Sequence, residues 1–379
     1  MNHEKTKILL VIRWPVGGIR TYLRYVYGKF DPIRYSITML VPEVFEIPFL
    51  MEDLKKQKIT LISLSKIPNA KEFMLRLFSL LRKEKFDVIH SHGLTAGLYT
   101  LFPAIVFRIP HLVTIHDQFL RNQFRGLQGK AKKMFLFAAM PLFTRIHAVS
   151  NDVKENLIEF ILSLKVLPSK ITVINNGIET ERFVNATALN LRKEFSLPNN
   201  SFLIGFLGRF MSQKGFVYLV EAMETLDKRN DLKKTPIVLA FGEGGFIREE
   251  KAAIEKKGLK DSIRFLPFTS NIAPVLKGLD LVVMPSLWEA CPLMPMEALV
   301  AGVPLIGTNC LGLREVLKET PCVMVPVKNS IALAEAIYQE MKNPSKDAAE
   351  GFREKAVSRF DVKNHCLALN TLLHEIIRN

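Results

Sequence analysis

Short apolar runs alternate along this chain with longer stretches in which apolar positions return every three or four residues. The runs fall at 7–13, 36–41, 60–64, 87–90, 112–116, 146–150 and 171–174. They are nearly continuous in hydrophobicity, as strands buried on both faces must be, and the intervening helical patterns supply the crossovers of a parallel sheet. The first run leads into Trp14-Pro15-Val16-Gly17-Gly18 and then a helical pattern at 19–27. That is a strand, a glycine turn and a helix. After Asn185 a charged, helical connector ending in Pro198-Asn199-Asn200 precedes a second series of runs, at 202–207, 237–241, 263–266, 281–284, 304–307 and 322–325. The pattern predicts an α/β protein of two doubly wound, Rossmann-like domains, residues 1–185 and 186–361, facing across a cleft. Such sheets bind ligands beyond the carboxyl ends of their strands.

Length agrees, since 379 residues suit two domains and 48% hydrophobic residues fill both cores. The longest apolar stretches, 98–107 and 134–143, are about half of the roughly 20 residues a spanning helix needs. The layout of Glu4, the apolar run 8–12 and Arg13 is that of a first strand, not of a secretory leader. Cys291, Cys310, Cys322 and Cys366 have neither metal-ligand spacing nor disulfide density, which predicts a cytoplasmic protein. The net charge of +15 is uneven: residues 1–185 hold 27 Lys+Arg against 15 Asp+Glu, and the remainder holds 25 against 22. No helix-turn-helix, zinc-finger or RNA-binding signature accompanies it, so no nucleic-acid partner is expected.

Candidate chemistry sits at three strand ends of the second domain. Gly208-Arg209 and Lys214-Gly215 frame a loop between a strand and an amphipathic helix, where two cations and a helix N-terminus suit a diphosphate. Solvated surface charge explains the same two residues equally well. Gly242-Glu243-Gly244-Gly245 forms a second turn; Ile247 occupies the place of a third fingerprint glycine, which favours a tight turn beside a nucleotide over a dinucleotide site. The segment from Met284 to Leu299 puts Glu289 in a loop after a buried strand and Glu297 in the first turns of the next helix, where Pro295 is tolerated. One carboxylate there suits sugar hydroxyls and the other a ribose, each bond to a charged acceptor being worth about 1.5–3 kcal/mol. Dipole complementarity alone accounts for an isolated Glu at such a place.

Taken together, Gly17-Gly18, the segment from Gly208 to Gly215, and Glu289 followed at the family's spacing by Glu297 closely resemble glycosyltransferase family 4, whose members have the GT-B fold. Ala148-Val149-Ser150, Asn176-Gly177-Ile178-Glu179 and Phe183 lie where that family has interdomain motifs, so the resemblance covers nearly the whole chain. It implies a retaining hexosyltransferase that uses a nucleotide-diphosphate sugar. It also implies that Arg209 and Lys214 hold the diphosphate, Glu297 the ribose and Glu289 the donor sugar. Backbone N–H groups of Gly18, Cys291 and Leu293 help cradle the donor, and His116 matches the family's active-site histidine. The final helix, 362–379, is expected to return to the first domain. Where the family commonly reads Glu-Gly-Phe-Gly-Leu, this chain reads Glu289-Ala290-Cys291-Pro292-Leu293, so Pro292 removes one backbone donor. There is no Asp-x-Asp triplet and no His or Cys pair with metal spacing, so nothing in the sequence calls for a divalent cation or other cofactor.

Between Gln118 and Asn151 there is no acidic residue, whereas Arg121, Arg125, Lys130, Lys132, Lys133 and Arg145 are present and Phe119, Phe124, Met134, Phe135 and Phe137 are interleaved. Such a region suits peripheral contact with an anionic membrane face and a glycan or lipid-linked acceptor, and equally an ordinary helix with a solvated basic side. Two rival readings are a nucleotide-sugar epimerase or hydrolase of similar shape and a bilobal sugar-binding protein.

Overall fold

The computed structural model describes residues 5–269 and 271–378; Glu4 lies outside them. The chain forms two compact units, one of residues 1–177 with 362–379 and the other of residues 178–361. In the first, β1 (Thr6–Ile12), β2 (Tyr35–Pro42), β3 (Thr60–Leu64), β4 (Val88–His92), β5 (His111–Ile115), β6 (Arg145–Ala148) and β7 (Ile171–Val173) form a sheet in the order β3-β2-β1-β4-β5-β6-β7. In the second, β8 (Ser201–Leu207), β9 (Thr235–Phe241), β10 (Ile263–Leu266), β11 (Leu281–Met284), β12 (Leu305–Thr308) and β13 (Val323–Val325) follow the order β10-β9-β8-β11-β12-β13. Every strand pair is parallel.

Both sheets are doubly wound, with the order reversing beside β1 in one and β8 in the other. Chain direction switches there, and adjacent loops leave a crevice that cannot be filled by the sheet itself. The glycine turn after β1 and the Arg209 to Lys214 loop after β8 therefore occupy corresponding places in the two units. The second unit's core anchors its loop through Phe206, Phe210 and Phe216, whose ring centroids lie 4.6–5.6 Å apart. Phe210 is fully buried, so the loop turns about a fixed point.

The division between the units falls earlier than the expected Asn185. The helix Thr180–Val184 packs on the helix Met294–Ala301, and Lys277 Nζ donates to the carbonyls of Val184 and Ala186 at 2.6 and 2.7 Å. Ile178 also bridges in parallel to Asp361. At the other end, the helix Val362–Arg378 packs on the helix Gly18–Tyr27, with Cys366, Leu369 and Leu373 buried.

Candidate active site

In the second unit the candidate residues lie on loops beyond the carboxyl ends of β8, β9, β11 and β12. Lys214 ends the short turn Ser212–Lys214, and its side chain lies over Gly208, where a Cβ would stand 3.8 Å from the lysine Cε. Its Nζ donates to Glu289 Oε1 at 2.7 Å. The hydroxyl of Ser286 donates to the same oxygen at 2.8 Å, and the hydroxyl of Thr308 at the end of β12 donates to the Ser286 carbonyl. Glu289 is only 5% exposed, so its charge is held by a cation and a hydroxyl in a low-dielectric setting.

The backbone fixes this arrangement from two sides. Gln213 Nε2 donates to the Trp288 carbonyl at 2.9 Å and Leu287 N to the Gln213 carbonyl at 2.8 Å, which ties the lysine loop to the glutamate loop. Gly312 has φ +76° and lies so close that a Cβ would stand 2.1 Å from the Glu289 carbonyl oxygen. Only glycine satisfies both conditions. Gly242 does the same for the lysine loop: a Cβ there would stand 1.9 Å from the Gly208 oxygen. The neighbouring Glu243 accepts a hydrogen bond from Phe210 N through its carbonyl at 2.9 Å, while its side chain is exposed.

Glu297 lies in the first turn of the helix Met294–Ala301 and is 6% exposed, with Leu293 as the cap residue. Cys291 and Pro292 are buried in the turn between the glutamates. Arg209 is exposed, and its guanidinium makes no hydrogen bond or ion pair with another described residue. The structure thus brings Lys214, Glu289, Gly208 and Gly242 together and leaves Arg209 on the rim. Burial pushes the thiol of Cys310 up to about 11, so it stays neutral beside Glu289. Ser286, Thr308 and Gly312 escape a reading of the sequence alone; Ser286, three residues before Glu289, carries the only local signal.

In the first unit Gly17 caps the helix Gly18–Tyr27 with φ 58°, and the helix has no acidic residue in its first turn. Space above Gly18 is open, with no described atom within 4 Å of where a Cβ would stand. His116 follows β5, and the ring of Tyr22 from that helix meets it edge-on at 4.8 Å. The imidazole donates to, or accepts from, His92 Nδ1 through its Nε2 at 3.1 Å. Burial holds the pKa of His116 down to about 3, so the ring is neutral near pH 7.

The basic region is the turn Arg121–Phe124 and the helix Gly126–Ala139. Arg121, Arg125, Lys130, Lys132 and Lys133 are exposed, together with Met134, Phe135 and Phe137. Phe119 departs from the expected surface: it is buried and stacks edge-on with Phe124, and Lys132 Nζ lies over both rings. Leu127, 85% exposed, takes its place on the outside. Leu142, Leu162 and Val166, on turns packed against this helix, extend the apolar surface. No described helix is long and apolar enough to cross a membrane.

Two parallel, doubly wound, Rossmann-like units in series are the make-up of the GT-B fold, and an ion-paired Lys–Glu couple lies at the strand-order switch of the second. Residues 16–182 match the family described as glycosyltransferase family 4, and residues 188–359 match glycosyl transferases group 1. A galactosyltransferase of Escherichia coli, described as UDP-Gal:alpha-D-GlcNAc-diphosphoundecaprenol alpha-1,3-galactosyltransferase, is 32% identical over 82% of each chain. The capsular polysaccharide biosynthesis glycosyltransferase CapH of Staphylococcus aureus is 30% identical over 62% of this chain and 63% of its own. Among solved structures, Anabaena HepE in complex with UDP-glucose superposes with a TM-score of 0.81 at 19% identity, over 97% of this chain and 99% of that one. Sucrose-phosphate synthase from Thermosynechococcus elongatus does so with 0.81 at 18% identity, over 99% and 100%. The chain belongs to glycosyltransferase family 4.

Proposed function

We propose that this glycosyltransferase moves a hexosyl group from a nucleotide-diphosphate sugar, with retention of configuration, to a hydroxyl of a glycan or lipid-linked acceptor. The observation that carries this reading is the ion pair of half-buried Lys214 with buried Glu289 over Gly208, braced by Ser286 and Gly312. A diphosphate approaching the loop finds Lys214 already positioned and Arg209 free to turn inward. Both cations neutralise charge as the diphosphate leaves, and loss of one such donor typically costs about 2.7–4 kcal/mol of the barrier. Glu289 then accepts from hydroxyls of the sugar, and Glu297 from the ribose. In the first unit, Gly18 N–H and His116 are assigned polar contacts with substrate. The acceptor attacks from the face the diphosphate leaves, and a phosphate oxygen takes the acceptor proton.

For the acceptor side, the E. coli relative's name specifies a diphosphoundecaprenol-linked sugar, and this chain's basic, apolar surface around 121–142 suits an anionic lipid bilayer. Apolar side chains enter the headgroup boundary while the cations meet lipid phosphates, at about 1 kcal/mol per basic residue. The protein would then work peripherally on the inner membrane face. Incubation with UDP-hexoses and a polyprenyl-diphosphate-linked sugar should give a disaccharide whose new bond keeps the donor's anomeric configuration. Inverted product, or donor conversion that needs no acceptor, defeats the proposal; the latter outcome favours an epimerase. Sedimentation with anionic vesicles at low salt should pellet the protein, and its absence from the pellet rejects the membrane contact.

A further inference from the structure

The carboxyl ends of β4, β5 and β6 carry a line of polar side chains that no role proposed above uses. His92 of β4, Thr114 of β5 and His147 of β6 are register partners, and His90 lies two residues before His92 on the same face. Their hydrogen bonds form one chain, and its direction is fixed at one end. The Ile174 carbonyl oxygen only accepts, so His147 Nε2, 2.9 Å away, carries the proton and His147 Nδ1 presents a lone pair. The Thr114 hydroxyl therefore donates to His147 Nδ1 at 2.9 Å and must accept from His90 Nε2–H at 2.6 Å. His90 Nδ1 then accepts from the Tyr27 hydroxyl at 2.7 Å, and the Tyr27 oxygen accepts from His92 Nε2–H at 2.9 Å. His92 Nδ1 is left to accept from His116 Nε2–H at 3.1 Å.

The sequence of donors and acceptors closes only if each imidazole carries a single proton. Burial depresses His90, His92, His147 and His116 far enough to keep them neutral near pH 7. Both nitrogens of His90, His92 and His147 are occupied, which leaves these rings no lone pair for a ligand. A second, shorter chain flanks the first. The Asn175 carbonyl accepts from His365 Nδ1–H at 2.8 Å, so His365 Nε2 accepts from the Tyr22 hydroxyl at 2.9 Å. Tyr22 has spent its proton there and meets His116 only with its ring edge.

We infer that the chain from the Ile174 carbonyl through His147, Thr114, His90, Tyr27 and His92 holds His116 as the Nε2–H tautomer, with Nδ1 presented as an acceptor for a substrate hydroxyl. Thr114 is the pivotal positioning residue, because it alone passes the direction set at Ile174 on to His90. Without its hydroxyl, His90 Nε2–H loses its acceptor. The remaining chain then relaxes by reversing every proton, which turns His116 Nδ1 from an acceptor into a donor. The inference rests on the proposed contact of His116 with the sugar, but the tautomer itself is measured without substrate.

The test is long-range 1H–15N correlation of the imidazoles in protein labelled with 15N-histidine at pH 7.5. Wild type should show His116 protonated at Nε2, Thr114→Val should show it protonated or averaged at Nδ1, and Thr114→Ser should restore the wild-type pattern. In parallel, kcat/KM should fall about tenfold in Thr114→Val, the factor lost with one neutral hydrogen bond, and recover in Thr114→Ser. Tyr27→Phe, which cuts the chain two steps nearer His116, gives a second reading if Thr114→Val does not fold. His116 protonated at Nδ1 in wild type, or unchanged in both variants, overturns the inference. The expected tautomers combined with full activity of a His116→Ala variant leave the hydrogen-bond chain standing but remove His116 from the proposed site.

Discussion

Acidification should unfold the two units unequally. All eight histidines belong to the first unit, and none lies between residues 178 and 361. Six of them, His90, His92, His111, His116, His147 and His365, are held below the ordinary histidine value, chiefly by burial. For a depressed pKa the unfolded chain binds protons that the folded chain refuses, so the contribution is present above about pH 6.5 and is lost as pH falls. At pH 5.5 an unfolded histidine of pKa 6.5 gains about 1.4 kcal/mol from protonation, and six such groups together remove as much as about 8 kcal/mol. That is comparable with the whole stability of a domain, about 5–15 kcal/mol. In the second unit the carboxyls pull both ways, since burial raises those of Glu250 and Glu340 whereas hydrogen bonds from Lys257 and Tyr338 lower those of Glu224 and Asp231, so no one direction prevails there. The chain has two tryptophans, Trp14 in the first unit and Trp288 in the second, so Trp288→Phe reports on one and Trp14→Phe on the other. Urea titrations followed by fluorescence at pH 7.5 and 5.5 should show the Trp14 transition collapsing and the Trp288 transition nearly fixed. Equal shifts of both, or a Trp14 transition that does not move, would rule out buried neutral histidines as the acid-labile element of the first unit.

Four further outcomes concern the second unit's loops, the helix Gly18–Tyr27 and the basic surface. Lys214→Ala and Glu289→Ala should each lower kcat at least about a hundredfold in a steady-state transferase assay while circular dichroism stays native. Gly312→Ala forces a side chain into positive φ against the Glu289 carbonyl and should lower the unfolding free energy read from the Trp288 urea transition by about 1–3 kcal/mol or more. Gly18→Ala meets only open space and improves helix propensity, so stability should hold or rise by up to about 1 kcal/mol while the donor KM increases. Exchanging Lys130, Lys132 and Lys133 for Glu should abolish vesicle sedimentation without changing turnover on a short soluble acceptor.

The fold is legible in the sequence because parallel strands covered on both faces must be continuous apolar runs, and the thirteen strands among the described residues coincide with such runs. The division between the units is less so. Thr180–Val184 has no local mark of its allegiance, which is decided by the Met294–Ala301 helix and Lys277, far along the chain. At the candidate site, the lysine and the two glutamates are readable from their places after strand ends. Ser286 and Gly312 are not, since what demands them is the approach of one loop to another. The histidine chain illustrates the same limit. Nothing local in the sequence links His90, His92 and His147; strand register brings Thr114 between them, and the packing of the helix Gly18–Tyr27 adds Tyr27. The basic segment shows the reverse error: its aromatic residues look equivalent in sequence, but packing turns Phe119 inward and Leu127 outward.

The measurement that bears most directly on the proposed donor site is thermal unfolding in the presence of nucleoside diphosphates. At about 100 times its dissociation constant, one diphosphate should stabilise wild type by about 2.7 kcal/mol. Lys214→Ala and Arg209→Ala should lose most of that shift. A wild type that no nucleoside diphosphate stabilises, or variants that keep the full shift, would contradict the assignment of the diphosphate to these two side chains.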